Sequence, residues 1–215
     1  MPPIVSIVGY SNSGKTTLIE KLLGELKARG YKVGTIKHAG QEIISDTGKD
    51  SWRHLQAGSG ATVVSSPGRI VLVKPTPPDV TLNDIVPLFG EEFDIILTEG
   101  FKQDDAPKIE VRRRGIGAPL VDIKKLIAVV SDEPGSETKP PRQFSFDDVK
   151  ALADLLEEGF IKPQRERLSL YVNGVPIVLS AFPKEFITNV LLAMSSSLKG
   201  VGQIESLTVF LKRAK

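Results

Sequence analysis

Residues Gly9-Tyr10-Ser11-Asn12-Ser13-Gly14-Lys15-Thr16 match the phosphate-binding pattern G-x-x-x-x-G-K-[ST] at every fixed position. The apolar run at residues 4–8 precedes them and predicts a buried strand, while residues 18–26 place apolar side chains at helical spacing. This order of strand, glycine-rich loop and helix is the context that the pattern requires. The stretch therefore predicts a loop that binds phosphate groups between the first strand and the first helix.

The chemistry of this loop follows from its backbone. Glycines let the chain curl so that successive N–H groups point at phosphate oxygens, and the helix N-terminus adds partial positive charge. Lys15 is expected to bind the β- and γ-phosphates, and the Thr16 hydroxyl to ligate Mg²⁺. The predicted phosphate-binding residues are Gly9, Ser11, Asn12, Ser13, Gly14, Lys15, Thr16 and Thr17.

Composition narrows the class of protein. The chain has 215 residues, 40% hydrophobic residues, a formal net charge of +2 and no cysteine. This charge does not favour nucleic-acid binding through bulk electrostatics, and disulfides and thiolate metal sites are excluded. No signal-peptide pattern opens the sequence and no apolar stretch approaches the 18 or so residues of a membrane span. We expect a cytoplasmic protein without membrane or nucleic-acid partners.

The following elements predict an α/β domain over residues 1–160. Strands are predicted at 31–37, 61–65, 69–73, 93–98, 108–112 and 126–130, with helices at 48–58, 81–90 and 147–158. The strand at 108–112 alternates as a half-exposed strand does, and the turn at 66–68 predicts a hairpin that makes the sheet mixed. The predicted fold is the three-layer sandwich of phosphate-loop NTPases, with a mostly parallel sheet.

Residues 165–215 are predicted to form a small separate α+β unit. Residues 168–179 are two apolar runs around Asn173-Gly174, which is a strong hairpin signal. A helix with one apolar side follows and ends near Gly200, and residues 204–211 predict a final strand. Since the unit contains no recognisable catalytic group, its expected role is packing or partner binding.

A phosphate loop that binds Mg²⁺ needs an acidic residue at the end of another strand. Glu99 ends the apolar run at 93–98, whereas Asp94 begins it, roughly 16 Å away at about 3.3 Å per residue. Glu99 is therefore the predicted metal and catalytic carboxylate, beside Thr16 and Lys15. Asp46 and Asp50 are candidates for a second acidic contact, Asp46 to the metal and Asp50 to the attacking water, although Asp50 is equally suited to cap a helix.

Two further groups of residues have alternative interpretations. Asp132 ends a predicted strand, and its carboxylate could accept hydrogen bonds from the N1–H and N2 groups of guanine, although no Asn-Lys-x-Asp signature is present. A basic cluster could bind an anionic substrate or an acidic partner, or could form a solvated surface. That cluster comprises Lys102, Lys108, Arg112, Arg113 and Arg114.

Five segments together resemble the MobB family, which takes part in molybdopterin-guanine dinucleotide biosynthesis. They are residues 9–17, 34–38, 48–53, 98–102 and 107–109, and they occur in order over most of residues 4–158. The first segment is shared by all phosphate-loop proteins. Gly48-Lys49-Asp50-Ser51 and Glu99-Gly100-Phe101-Lys102 are far more specific to the family.

This resemblance implies a GTP-binding, weakly GTP-hydrolysing homodimer that assists the guanylyltransferase attaching GMP to molybdopterin. Under it, Lys15 and the amides around Ser13 and Gly14 hold phosphates, Thr16 and Glu99 hold Mg²⁺, and Asp132 reads the base. One alternative is a small-molecule kinase in which Arg112 to Arg114 bind an acidic acceptor. Another is a nucleotide-switched adaptor whose C-terminal unit binds a metalloenzyme maturation partner.

Overall fold

The computed structural model describes residues 1–40, 50–135, 141–164 and 167–211. The chain divides into two compact units, Met1–Arg165 and Glu166–Lys215. The predicted metal ligand Asp46 lies outside the described residues.

The first unit is built on a six-stranded sheet against which helices pack. Its strands are β1 (Ile4–Val8), β2 (Val33–Lys37), β3 (Thr62–Ser66), β4 (Arg69–Val73), β5 (Ile95–Glu99), β6 (Lys108–Arg112), β7 (Leu126–Ser131) and β8 (Arg142–Phe144). Its α-helices are α1 (Lys15–Ala28), α2 (Asp50–Gln56), α3 (Leu82–Ile85) and α4 (Val149–Leu156). A 3₁₀ turn at Val86–Phe89 continues α3, and a π-helical turn at Glu157–Ile161 continues α4.

The order of the large sheet is β2-β5-β1-β6-β7-β8, and its strand pairs are all parallel. This arrangement confirms the α/β fold with a mostly parallel sheet. The mixed character that we expected from the 61–73 hairpin was wrong, because β3 and β4 pair antiparallel with each other in a separate two-stranded sheet. A hairpin can satisfy its own ladder without joining a neighbouring sheet.

Apolar side chains fill both sides of the large sheet. On one side α1 and α4 pack on the strands, and Leu18, Leu22, Leu26, Leu152 and Leu156 are buried there. On the other side α3 and its 3₁₀ turn bury Leu82 and Val86. Because the strands of this sheet are parallel, their carboxyl ends lie at one edge, where ligands bind in open α/β folds.

The half-exposed strand that we expected at 108–112 was wrong, because β6 is an inner strand and residues 108–111 are buried. Lys108 and Glu110 alternate with apolar residues, which mimics a surface strand. Both are nevertheless buried, because their polar atoms find partners inside the protein. Alternation indicates exposure only when the polar side chains have no internal partners.

The second unit contains the predicted hairpin and helix. Strands β9 (Leu170–Val172) and β10 (Val175–Ile177) pair antiparallel around Asn173-Gly174, both at positive φ. Helix α5 (Ala181–Ser196) follows, and none of its residues is buried. The predicted strand at 204–211 was wrong, because these residues are irregular, and among the described residues of this unit the ladder joins β9 and β10. An apolar run without a partner strand does not form a ladder.

Candidate functional site

The loop between β1 and α1 has the backbone that its glycines predict. The backbone φ angles of Gly9, Asn12 and Gly14 are +153°, +62° and +100°. Glycine adopts positive φ readily and asparagine more often than most other residues. A Cβ on Gly9 would lie 2.5 Å from the Val111 carbonyl oxygen, so only glycine fits against β6. Ser11, Asn12 and Thr17 are exposed along the loop and the first turn of α1.

Ser13 lies inside the curl of this loop. Its hydroxyl oxygen is buried and has no hydrogen-bond partner among the described residues. A buried polar atom without a partner is uncommon in folded proteins and calls for an explanation. A loop with this backbone, this hydroxyl and the N-terminus of α1 suits the oxygens of a phosphate chain.

Lys15 begins α1 and folds back over the loop. Its ammonium donates a hydrogen bond of 2.7 Å to the carbonyl oxygen of Tyr10. Burial lowers the pKa of Lys15 from its ordinary value, nearby Glu99 opposes that shift, and Lys102 and Lys37 add to it. The lysine is therefore part of a small group of charges at the carboxyl edge of the sheet.

Thr16 and Glu99 meet at this edge. The Thr16 hydroxyl donates a hydrogen bond of 2.9 Å to the Glu99 carboxylate, which also lies 3.4 Å from the Lys37 ammonium. The contact follows from strand order, because β5 lies between β1 and β2 and ends at Glu99. A hydroxyl and a carboxylate at hydrogen-bond distance provide two oxygen ligands of the kind that Mg²⁺ uses beside phosphates and water.

Among the described residues, the structure contains no group of three or more His, Cys, Asp or Glu side chains placed to hold a metal ion. Asp50 begins α2, and its carboxylate lies 3.3 Å from the Arg53 guanidinium. The structure does not bring Asp50 to Thr16 or Glu99 through any described contact.

The turn after Glu99 has a strained backbone. Gly100 and Phe101 have φ of +102° and +54°, and a bulky residue in this region is unusual. The Phe101 ring is held by the His38 ring, 5.0 Å away between centroids. Beyond it, the Lys102 ammonium lies 5.1 Å from the centroid of the Tyr10 ring. Strain of this kind accumulates at ligand-binding sites, and sequence reasoning did not identify it.

Asp132 directly follows β7, and its side chain contacts the turn that follows β6. Both of its carboxylate oxygens accept hydrogen bonds of 3.1 Å from the backbone N–H of Arg114. The guanidinium of Arg113 lies 5.3 Å from the centroid of the Phe146 ring. A Cβ on Gly14 would lie 3.1 Å from that ring, so Phe146 packs directly on the phosphate loop.

The basic cluster predicted from the sequence is not one surface. Lys108 is buried and donates hydrogen bonds to the carbonyls of Asp104 and Ala106, the latter at 2.8 Å, and burial lowers its pKa. Arg112 lies 2.7 Å from the buried carboxylate of Glu110. Lys102 and Arg113 instead flank the phosphate loop. Lys108 and Arg112 therefore form contacts with buried groups, whereas Lys102 and Arg113 lie next to the candidate site.

Sequence reasoning missed Lys37 and Phe146. Lys37 directly follows the apolar part of β2, as Glu99 follows that of β5, so a search for charged residues at strand ends would have found it. Phe146 becomes relevant only through its neighbours in the fold, Arg113 and Gly14.

A family model described as molybdopterin guanine dinucleotide synthesis protein B matches residues 4–132. A molybdopterin-guanine dinucleotide biosynthesis adapter protein of Haemophilus influenzae is 40% identical over 131 residues, covering 60% of this chain and 74% of its own length. Its counterpart of the same name in Escherichia coli is 36% identical over 170 residues, covering 75% and 95%.

Solved structures support the same grouping. A MobB protein homolog from Bacillus stearothermophilus superposes with a TM-score of 0.56 at 28% identity, covering 75% of this chain and 99% of its own. Bacillus subtilis MobB superposes with a TM-score of 0.54 at 31% identity, covering 74% and 98%. Within the described residues, no helix is both long enough and apolar enough to cross a bilayer.

Proposed function

The chain belongs to the molybdopterin guanine dinucleotide synthesis protein B family, and from that premise we propose that it is a GTP-binding adapter in guanylation of the molybdenum cofactor. The observation that carries the proposal is the convergence of Lys15, Thr16 and Glu99 at the end of a phosphate-binding loop. Its ligands would be GTP and Mg²⁺, and its partner the cytoplasmic guanylyltransferase that acts on molybdopterin.

Each residue of the group has a defined task in this proposal. The loop amides and Lys15 bind phosphate oxygens, while Thr16 and Glu99 hold the cation on the β5 side of β1. A bound Mg²⁺ neutralises charge that develops on the phosphates during transfer. Lys37 balances the charge of Glu99 and keeps that carboxylate oriented.

Hydrolysis of GTP by this site would be slow. An arginine that stabilises the transferring phosphate raises turnover by about 10³–10⁵. Among the described residues, no arginine forms a hydrogen bond or ion pair with Lys15 or Glu99, and Arg53 pairs with Asp50. A weak GTPase that serves a neighbouring enzyme is consistent with this arrangement.

The kinase alternative has less support. It requires Arg112 to Arg114 to bind an acidic acceptor, yet Arg112 pairs with Glu110 and Arg114 with Glu133. Arg113 lies over an aromatic ring. An acceptor would have to break these contacts, so we favour the adapter.

We also propose that the adapter acts as a homodimer, as the family resemblance implies. The β3–β4 hairpin exposes apolar side chains along both of its strands, with Ile70 72% exposed. An isolated two-stranded hairpin is at best marginally stable, so pairing with a second copy would stabilise it. Sedimentation should show a dimer that Ile70→Asp converts to a monomer, and a monomeric wild type would contradict the proposal.

Equilibrium binding of GTP and ATP with Mg²⁺ tests the nucleotide assignment. We expect GTP to bind more tightly than ATP, Lys15→Ala to weaken both, and Asp132→Ala to weaken GTP alone. Chelating the metal should weaken GTP binding to the wild type but change the affinity of Glu99→Gln much less. A preference for ATP would reject the guanine assignment and return weight to the kinase.

A cellular measurement tests the role in the pathway. Removing the protein should lower the guanylated cofactor and leave molybdopterin itself unchanged, and the Lys15→Ala variant should fail to restore it. An unchanged guanylated pool would contradict the adapter function.

A further inference from the structure

The turn after β6 connects three features that the sequence places far apart. Arg113 opens the turn and lies over the Phe146 ring, and that ring packs on Gly14 of the phosphate loop. The next residue, Arg114, ties the turn to Asp132 through its backbone N–H. The carboxyl ends of β6, β7 and β8 thereby bring a guanidinium, a carboxylate and an aromatic ring to one place.

The strand order indicates which part of a bound nucleotide would reach the ends of β6, β7 and β8. Thr16 and Glu99 lie on the β5 side of β1, which directs the cation and the terminal phosphates to that side. The rest of a nucleotide must then extend toward the other side of β1, where β6, β7 and β8 follow in order. Arg113, Asp132 and Phe146 follow the ends of these three strands.

We propose that Arg113 and Phe146 form a stacking platform for the nucleotide base, beside the Asp132 carboxylate to which the family resemblance assigns the edge of that base. A planar guanidinium and an aromatic ring both stack on nucleobases, and they do so with little regard to which base is present. Hydrogen bonding by a carboxylate, in contrast, discriminates among bases. The inference rests on the proposed binding of GTP.

The surroundings hold the platform in position. The Lys21 ammonium donates a hydrogen bond of 2.9 Å to the carbonyl of Phe146, which anchors the ring beside α1. The turn closes through the hydrogen bond from Ile116 N–H to the Arg113 carbonyl, 3.0 Å long. Gly117 packs against Tyr10, since a Cβ there would lie 2.6 Å from its ring. The guanidinium and the ring are thus fixed relative to the loop that holds the phosphates.

Stacking by Arg113 and Phe146 and hydrogen bonding by Asp132 predict different losses of ligand affinity. Stacking on one side chain corresponds to an affinity change of about 5- to 150-fold. Phe146→Leu and Arg113→Ala should lower the affinity for GTP and for xanthosine triphosphate by similar factors in this range. Neither should change the affinity for inorganic triphosphate, which has no base. Asp132→Ala should weaken GTP and leave inorganic triphosphate unaffected.

Calorimetric titration of the full chain with Mg²⁺ measures all of these affinities. Phe93→Leu is the matched control, because Phe93 is a half-buried aromatic residue before β5, at the end of the strand opposite Glu99. Phe146→Leu keeps an apolar side chain against Gly14, and Arg113→Ala changes an exposed residue, so a folding defect in one variant leaves the other informative.

The outcomes separate the platform from the function on which it rests. Loss of GTP affinity with unchanged triphosphate affinity supports the platform. Equal loss of both ligands in Phe146→Leu, with no loss of either in Arg113→Ala, would overturn it and make Phe146 a support of the loop alone. Unchanged GTP affinity in both variants would overturn it as well. A wild type that binds neither ligand would reject nucleotide binding itself.

Discussion

The two units of the chain use apolar residues in opposite ways. In the first unit, α1 buries Leu18, Leu22 and Leu26 against a six-stranded sheet. In the second unit, α5 has a similar spacing of apolar residues, yet none is buried, and Phe182 is 77% exposed. The difference shows that helical periodicity predicts an element but not a core, which requires a second layer large enough to cover it.

A pair of alanine substitutions, one at a buried and one at an exposed apolar residue, should test this contrast with the largest change in stability. Leu22→Ala should lower the free energy of unfolding by about 2–5 kcal/mol, because it leaves a cavity in a filled interior. Phe186→Ala in α5 should change it by less than about 0.5 kcal/mol, because that ring is exposed. Urea unfolding measures both variants. An equal cost for Phe186→Ala would mean that the second unit has a core of its own.

A substitution in the site should affect binding while sparing the fold. Lys15→Ala should lower GTP affinity about 10- to 150-fold, since a hydrogen bond to a charged group contributes about 1.5–3 kcal/mol. Lys27→Ala, an exposed lysine in the last turn of the same helix, is the control and should bind normally. Thermal unfolding should be similar for both. A common loss of affinity would indicate general electrostatic attraction instead of a specific contact.

A smaller effect, in the first unit, should be present near neutral pH and disappear at low pH. The Arg29 guanidinium donates hydrogen bonds to Glu157 and Asp154, which lowers the pKa of Glu157 from 4.5 to about 2. Since the folded pKa is lower than the unfolded one, this stabilisation is present above about pH 4.5 and is lost as the pH falls through about 2. Urea unfolding at several pH values should show a wild-type advantage over Glu157→Gln that shrinks on acidification. A constant difference would exclude this ion pair as the cause.

The smallest effect is expected from removing the second unit. Residues 1–164 expressed alone should bind GTP within about twofold of the full chain, because the described site contacts all lie in the first unit. Binding of the guanylyltransferase should distinguish the two forms if the second unit is the partner-binding region. Loss of GTP affinity on truncation would show that the units depend on each other.

The sequence was informative where local geometry alone decides the outcome. The loop pattern placed Lys15 and Thr16, and strand direction selected Glu99 over Asp94, since only the carboxyl end of β5 reaches the loop. The contacts of Arg113 and Phe146 depend on strand order, which no single segment encodes. The alternation of Lys108 and Glu110 wrongly predicted exposure, because their hydrogen-bond partners inside the protein cannot be inferred from sequence spacing.

The hydrogen bond between the Lys15 ammonium and the Tyr10 carbonyl gives the loop an internal competitor. Any anion that enters must replace this bond, so its net gain is the difference between two acceptors rather than the whole of a new contact. A monovalent ion such as chloride gains little from that exchange, whereas a polyphosphate offers several oxygens at once. Under the proposed function, the loop would therefore favour ligands with several charged oxygens over single anions.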